Sequence, residues 1–259
     1  MGAWALLLIT ASAAAAVAAV PTNRIVGGQD TIVEFFPSIV QVDFLSVSDG
    51  RWSQNCGGTI LAPRYVLTAA HCLEGFDFPG ASHRRIRAGS TYRNQGGTVI
   101  QVRSFLHHPE YRQRSRWDAD IALMQLQQPL AFNARIQPAS INAQGSELPD
   151  NFMVMHAGWG DTSTGGSPSE VLQEVVLYTV NNAECARRYE YGITENMICA
   201  GILDVGGQDA CRGDSGGPMY FTDILVGVVS WGRGCGMAEY PGVSTKLSAY
   251  TDWIVANAV

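Results

Sequence analysis

Three short segments carry residues able to do nucleophilic chemistry together. Leu67-Thr68-Ala69-Ala70-His71-Cys72 delivers a histidine beside a cysteine. Asp118-Ala119-Asp120-Ile121-Ala122-Leu123-Met124 leads from an acidic pair into an apolar run, and Gly213-Asp214-Ser215-Gly216-Gly217-Pro218 sets a serine in a glycine-rich loop. A serine hydroxyl is a poor nucleophile near neutral pH unless an adjacent base takes its proton. Histidine serves as that base when a carboxylate holds its tautomer and stabilises the imidazolium. Glycines around the serine let backbone N–H groups face a developing oxyanion without side chains in the way. Each segment alone has an ordinary structural use: a hydrogen-bonded histidine, a capping aspartate, a turn. All three in one chain, in the order His, Asp, Ser, point to nucleophilic catalysis. His83, His107, His108 and His156 have no comparable surroundings, and His107-His108-Pro109 reads as a surface loop.

Strands must position these side chains. Ser38–Val42, Arg64–Thr68, Thr98–Val102 and Leu225–Val229 are short runs rich in β-branched residues, separated by Gly, Pro and Asn. That spacing predicts an all-β barrel or sandwich, and two similar barrels fit the length. Helical periodicity is confined to the end, where Tyr250, Trp253, Ile254 and Ala258 share a face, and to a short segment near Asn181–Arg188 capped by Asn181 or Asn182.

Composition narrows the class. The 259 residues include 17 basic and 23 acidic side chains, with 46% hydrophobic and 15% charged. An acidic chain with scattered arginines offers no basic stripe for nucleic acid, and its apolar content excludes disorder. Sixteen of the basic residues are Arg and one, Lys246, is Lys. Ala3 to Val20 is small and apolar apart from Thr10 and Ser12, and contains Ala16-Val17-Ala18. It reads as a secretory signal peptide over residues 1–20, ending between 18 and 20, rather than a membrane anchor. Six cysteines in an oxidising compartment suggest three disulfides among 15 pairings; zinc is disfavoured because no C-x2-C spacing occurs.

With T-A-A-H-C, G-D-S-G-G-P, V-S-W-G and R-I-V-G-G all present in order, the chain from Ile25 to about Trp253 resembles the trypsin-like serine endopeptidases of the chymotrypsin family. Ile86–Thr91, Ile136–Ile141 and Leu203–Gly207 are most similar to insect digestive trypsins of the lepidopteran type. The resemblance implies two antiparallel Greek-key β-barrels packed face to face with a C-terminal helix, spanning 25–259. It makes Ser215 the nucleophile and His71 the general base, then general acid. Asp120, rather than Asp118, becomes the orienting carboxylate, because it directly precedes the apolar strand-like run. The N–H groups of Gly213 and Ser215 form the oxyanion hole. The cysteines pair as Cys56–Cys72, Cys185–Cys199 and Cys211–Cys235.

The resemblance also places Asp209 at the base of the primary specificity pocket, with Gly232 and Gly242 on its walls. A buried carboxylate there needs a cation, which a substrate Arg or Lys supplies. Trypsins often carry Ser where this chain has Ala210, and Tyr where it has Ser244. Without a hydroxyl beside the carboxylate a short ammonium loses a partner, while a guanidinium still binds bidentately, so Arg is expected over Lys. Arg212 and Arg233 match the pocket rim, which disfavours basic residues flanking the cut.

Residues 21–24 read as an activation propeptide cut after Arg24, freeing Ile25 to pair with Asp214 and order the oxyanion loop. Since Arg24 itself suits the Asp209 pocket, self-activation is expected. Gly89–Thr98, which matches the calcium loop of vertebrate trypsins, has no Asp or Glu, so no metal and no cofactor is expected. No N-x-S/T sequon occurs. The expected product is a secreted monomer, in the gut lumen, acting on protein or peptide substrates and met by protein protease inhibitors, with no nucleic-acid or membrane partner. A regulatory processing protease is the nearest alternative; the short propeptide, without a targeting domain, opposes it. A non-catalytic homologue acting as a binding protein is opposed by intact His71, Asp120, Ser215 and Gly213. The arginine excess fits an alkaline working pH, because Lys loses its charge near ~10.4 and Arg beyond ~12; GC-rich coding bias gives the same ratio. Arg112-Gln113-Arg114-Ser115-Arg116 reads as the first self-digestion site.

Overall fold

In the computed structural model, which describes residues 26–75, 80–190 and 192–258, the β-branched runs become strands. The expected signal peptide over 1–20, the expected propeptide over 21–24 and the Arg24–Ile25 junction lie outside the described residues. A two-residue strand, β1 (Gln29–Asp30), precedes the first barrel. That barrel comprises β2 (Ile39–Leu45), β3 (Trp52–Ala62), β4 (Tyr65–Thr68), β5 (Arg84–Ala88), β6 (Thr98–His107) and β7 (Ala122–Leu126). Antiparallel pairing in the order β2-β3-β4-β7-β6-β5 closes the ring. Strand β5 shows the period of two that selects this structure: Ile86 and Ala88 are buried while Arg85 and Arg87 between them are partly exposed.

A parallel bridge, β8 (Ser140–Ile141), leads into the second barrel. Its strands are β9 (Met153–Gly158), β10 (Gln173–Val180), β11 (Met197–Gly201), β12 (Pro218–Phe221), β13 (Ile224–Trp231) and β14 (Gly242–Lys246). They pair antiparallel as β9-β10-β11-β14-β13-β12, and β12 returns to β9. The apolar interior of the first barrel runs without a break through Trp159, Leu172, Tyr220 and Val228 of the second, so the barrels share one apolar core across their seam. A smaller cluster around Val175, Leu177 and Met219 fills the second barrel itself.

Two α-helices are added among the described residues. The first, α1 (Asn182–Tyr189), starts where the Asn181 side chain accepts from the N–H groups of Ala183 and Glu184, at 3.0 and 3.3 Å. Glu184 in its first turn and Arg187 and Arg188 in its last complement the helix dipole. The second, α2 (Thr251–Asn257), buries Ile254 against the seam. Tyr250 and Trp253 also stack edge-on against His108, at 4.7 and 4.9 Å. The surface-loop expectation for His107-His108-Pro109 is therefore corrected: β6 runs through His107, and burial pushes both imidazoles below their ordinary pKa.

Disulfides join Cys56 to Cys72, Cys185 to Cys199 and Cys211 to Cys235, across separations of 16, 14 and 24 residues. In the chain-entropy account, closing such loops stabilises by about 3 kcal/mol each. The first ties β3 to the histidine segment, and the third ties the serine loop to the segment after β13.

Candidate active site

The seam assembles all three chemical segments. Strand β4 feeds a single 3₁₀ turn, Ala70–Leu73, which carries His71. Asp120 stands just ahead of β7, fully buried, and accepts from the backbone N–H of His71 at 2.9 Å while its other oxygen meets Nδ1 at 2.7 Å. The second barrel holds Asp120 too: the Ser230 hydroxyl on β13 donates to the carboxylate, and Thr245 on β14 donates to its carbonyl at 2.9 Å. Asp118 serves elsewhere, accepting from the Thr194 hydroxyl at 2.6 Å.

Ser215 is placed by backbone bonds to both barrels. Its carbonyl accepts from Gly57 N–H on β3 at 2.8 Å, and Gly216 N–H donates to Val229 at 2.7 Å. His71 and Ser215 line one cavity of about 400 Å³. Among the described residues no hydrogen bond joins the Ser215 hydroxyl to His71. Nucleophile–base bonds commonly tighten only when substrate binds.

The same cavity reaches Asp209, which is 5% exposed. Burial pushes its carboxyl up to about 7, against the opposing pull of the Gly236 and Ala210 N–H groups. Gly236 donates to it at 3.0 Å. A Cβ on Gly242 would stand 2.6 Å from an Asp209 oxygen, so any side chain at this wall position would push the carboxylate out of place. At Gly232 an added Cβ would make ordinary contacts, so the missing side chain there keeps the wall open rather than relieving a clash. Among the described residues no cation pairs with Asp209, which leaves a desolvated anionic group at the end of a cavity wide enough for a long side chain.

Asp214 is also buried, with Gly160 and Cys211 N–H groups donating to its two oxygens at 2.8 and 3.0 Å. Burial pushes it, too, up to about 7. Its expected partner, Ile25, lies outside the described residues. Val26 accepts from Asp209 N–H at 3.1 Å, so the start of the described chain is already beside the cavity floor. At the rim Arg212 is exposed along the cavity, while Arg233 lies 4.6 Å over the Tyr240 ring and donates to its hydroxyl at 2.8 Å.

Three side chains at or beside the site escaped the sequence reading. Trp117 meets the His71 ring edge-on at 5.5 Å and stacks on Trp231 at 6.4 Å, giving the cleft an aromatic side. Its place three residues before Asp120 was the only available signal. His156 also lines the cavity; burial pushes its imidazole down to about 4, so it is neutral there. Gln54 reaches the serine loop from β3 with no motif around it.

The family model described as Trypsin matches residues 25–254. Among curated relatives, an alkaline trypsin of Manduca sexta, "Trypsin, alkaline C", is 46% identical over 97% of this chain and 98% of its own length. "Trypsin CFT-1" of Choristoneura fumiferana is 44% identical with the same coverage. A "Vitellin-degrading protease" of Bombyx mori is 40% identical over 90% of this chain and 85% of its own.

Proposed function

The chain belongs to the trypsin family and is a trypsin-like serine endopeptidase; from that premise we propose that it cuts peptide bonds after Arg, and more slowly after Lys, using His71, Asp120 and Ser215. The observation that carries the specificity is Asp209, a buried carboxylate with no cationic partner among the described residues, at the far end of the cavity that holds His71 and Ser215. A guanidinium entering between Gly232 and Gly242 supplies the missing charge, and its two parallel N–H donors match the carboxylate.

With the scissile carbonyl against Ser215, Oγ attacks the carbon as its proton passes to His71 Nε2. Asp120 keeps the other ring nitrogen protonated and stabilises the imidazolium. The oxyanion of the tetrahedral adduct takes the N–H groups of Gly213 and Ser215. His71 then protonates the departing amine, the C–N bond breaks, and water cleaves the acyl-enzyme by the same route in reverse. No metal or cofactor enters any step.

The protein is made with a signal peptide over 1–20 and a propeptide over 21–24, is secreted, and is switched on by the cut after Arg24. Digestion in a gut lumen is the setting proposed for it, and protein protease inhibitors are its expected partners. Neither a processing protease nor a non-catalytic binding homologue is favoured by these relatives. Two features support an alkaline working range beside the relatives' name: 16 Arg against one Lys, and buried phenols such as Tyr189, which burial holds protonated up to about 12. The decisive experiment incubates the activated protein with an unstructured protein and reads the cut sites by mass spectrometry. Cuts confined to Arg and Lys are expected; cuts after aromatic residues would defeat the assignment of Asp209.

A further inference from the structure

We propose that Gln54 is a positioning residue for the oxyanion loop, holding the Gly213 peptide from across the seam. The proposal rests on the reading of Gly213 and Ser215 N–H as the oxyanion donors. Gln54 belongs to β3 of the first barrel and is 7% exposed. Its Nε2 donates to the Gly213 carbonyl at 2.7 Å and to the Cys56 carbonyl at 3.2 Å. Both neighbours are carbonyl oxygens, which only accept, so the amide nitrogen must face them. Its Oε1 is then buried with no partner among the described residues. A half-satisfied buried amide is an unfavourable way to fill a core position. Packing therefore does not account for Gln54, whereas the bond to Gly213 does.

Gly213 needs such a restraint. Its φ of 99° lies where side chains are not tolerated, and an added Cβ would stand 3.1 Å from the Gly160 Cα. Having no side chain, it is held only through its peptides. The preceding carbonyl, of Arg212, accepts from Asp161 N–H at 2.7 Å. Because that peptide is planar and trans, the Gly213 N–H points the opposite way. Among the described residues the Gly213 and Ser215 N–H groups donate to no protein acceptor. Gln54 fixes the carbonyl on the other side of the same glycine. Together the two bonds stop the rotations about Gly213 that would turn its N–H away from the oxyanion.

The test uses the activated enzyme, with Gln54→Leu and Gln54→Met removing the amide at similar volume. Four quantities are compared: kcat and KM on an Arg peptide amide, the affinity of a peptidyl arginine aldehyde, the affinity of benzamidine, and Tm. The aldehyde forms a tetrahedral adduct whose oxygen sits where the oxyanion would, while benzamidine occupies only the Asp209 end of the cavity. We expect kcat and aldehyde affinity to fall together by roughly 10- to 100-fold, somewhat less than deleting a donor outright. KM, benzamidine affinity and Tm should stay within about twofold or a few degrees of wild type, since a buried unsatisfied amide is being removed. Unchanged kcat in a folded variant overturns the proposal. So does a parallel loss of both ligands with a lowered Tm in both variants. A wild-type enzyme that fails to cut after Arg would instead defeat the functional reading itself.

Discussion

Asp120 holds His71 at two points, its Oδ1 on the backbone N–H at 2.9 Å and its Oδ2 on Nδ1 at 2.7 Å. The first contact fixes where the residue sits, and the second fixes which nitrogen carries the proton. A carboxylate only accepts, so Nδ1 must be the protonated nitrogen and Nε2 the free lone pair. Asp120→Asn keeps an oxygen for the backbone contact but can turn an N–H donor towards Nδ1, leaving Nε2 protonated and useless as a base. Expected is a fall in kcat on the order of 10⁴, the size known for this change in the reference enzyme of the fold rather than one obtained from these distances. Steady-state kinetics with unaltered Tm checks it; a loss under about tenfold would mean that His71 does not depend on this carboxylate.

Asp209 makes cation binding depend on pH. With the cavity empty its carboxyl titrates near 7, pushed up by burial, so below that pH it is neutral and attracts no guanidinium. Benzamidine affinity should therefore rise roughly tenfold per pH unit below about pH 6 and level off above 7. A flat affinity profile between pH 5 and 8 would contradict it. The sign for stability is opposite: Asp209 and Asp214 bind protons more readily when folded, so their favourable contribution is complete below about pH 4 and is lost as pH rises through about 7. The Tm gained from saturating benzamidine should accordingly be larger at pH 8 than at pH 5.

Asp214 awaits a charge. It is buried with two N–H donors and no cation among the described residues, which is the environment an inserted α-amino group would complete. In Asp214→Asn, cleavage after Arg24 by an added protease should proceed, as N-terminal sequencing can verify. The accompanying gain in peptidase activity should shrink by roughly 10²–10³, the equivalent of losing one partner of a buried pair. Full activation of that variant would show that the loop is ordered by something else.

Ala210 sits beside Asp209 and offers only a methyl group. Ala210→Ser adds a hydroxyl that an ammonium can use where a guanidinium already has its bidentate contact. The ratio of kcat/KM for Lys over Arg substrates should rise up to about tenfold, the value of one hydrogen bond to a charged group. A ratio that stays put, or a native enzyme that already favours Lys, would remove Ala210 from the specificity argument.

What could be read from sequence was what acts over a few residues. The strand at Leu225–Val229 declared itself by β-branching, and the start of α1 by an asparagine whose side chain reaches N–H groups two and three residues on. The chemical segments were legible because each packs its demands into a handful of neighbours. Gln54 was not, since it looks like any polar strand residue and meets Gly213 159 positions away. Nor was His156, whose burial in the cavity wall comes from the register of β9 against β10 and β12. His108 was misplaced for the same reason: Tyr250 and Trp253, at the start of the C-terminal helix, cover it from the far end of the chain. Closing two barrels on one another creates contacts that no window of sequence contains.

The loop between β6 and Asp120 has a bearing on how long the enzyme survives. Arg112 pairs with Glu74 at 2.8 Å, Arg114 with Glu195 at 2.6 Å, and Arg116 lies 5.1 Å over the Trp117 ring. In an endopeptidase that cuts after arginine, each must leave its partner before entering the pocket of a second molecule. Exposed pairs of this kind are worth only ~0–1 kcal/mol, so they delay that cut several-fold and do not forbid it. Self-destruction then takes two molecules, and its rate climbs with the square of their concentration. A dilute preparation would outlast a concentrated one, and the half-life of the protein becomes a property of the crowd it is kept in.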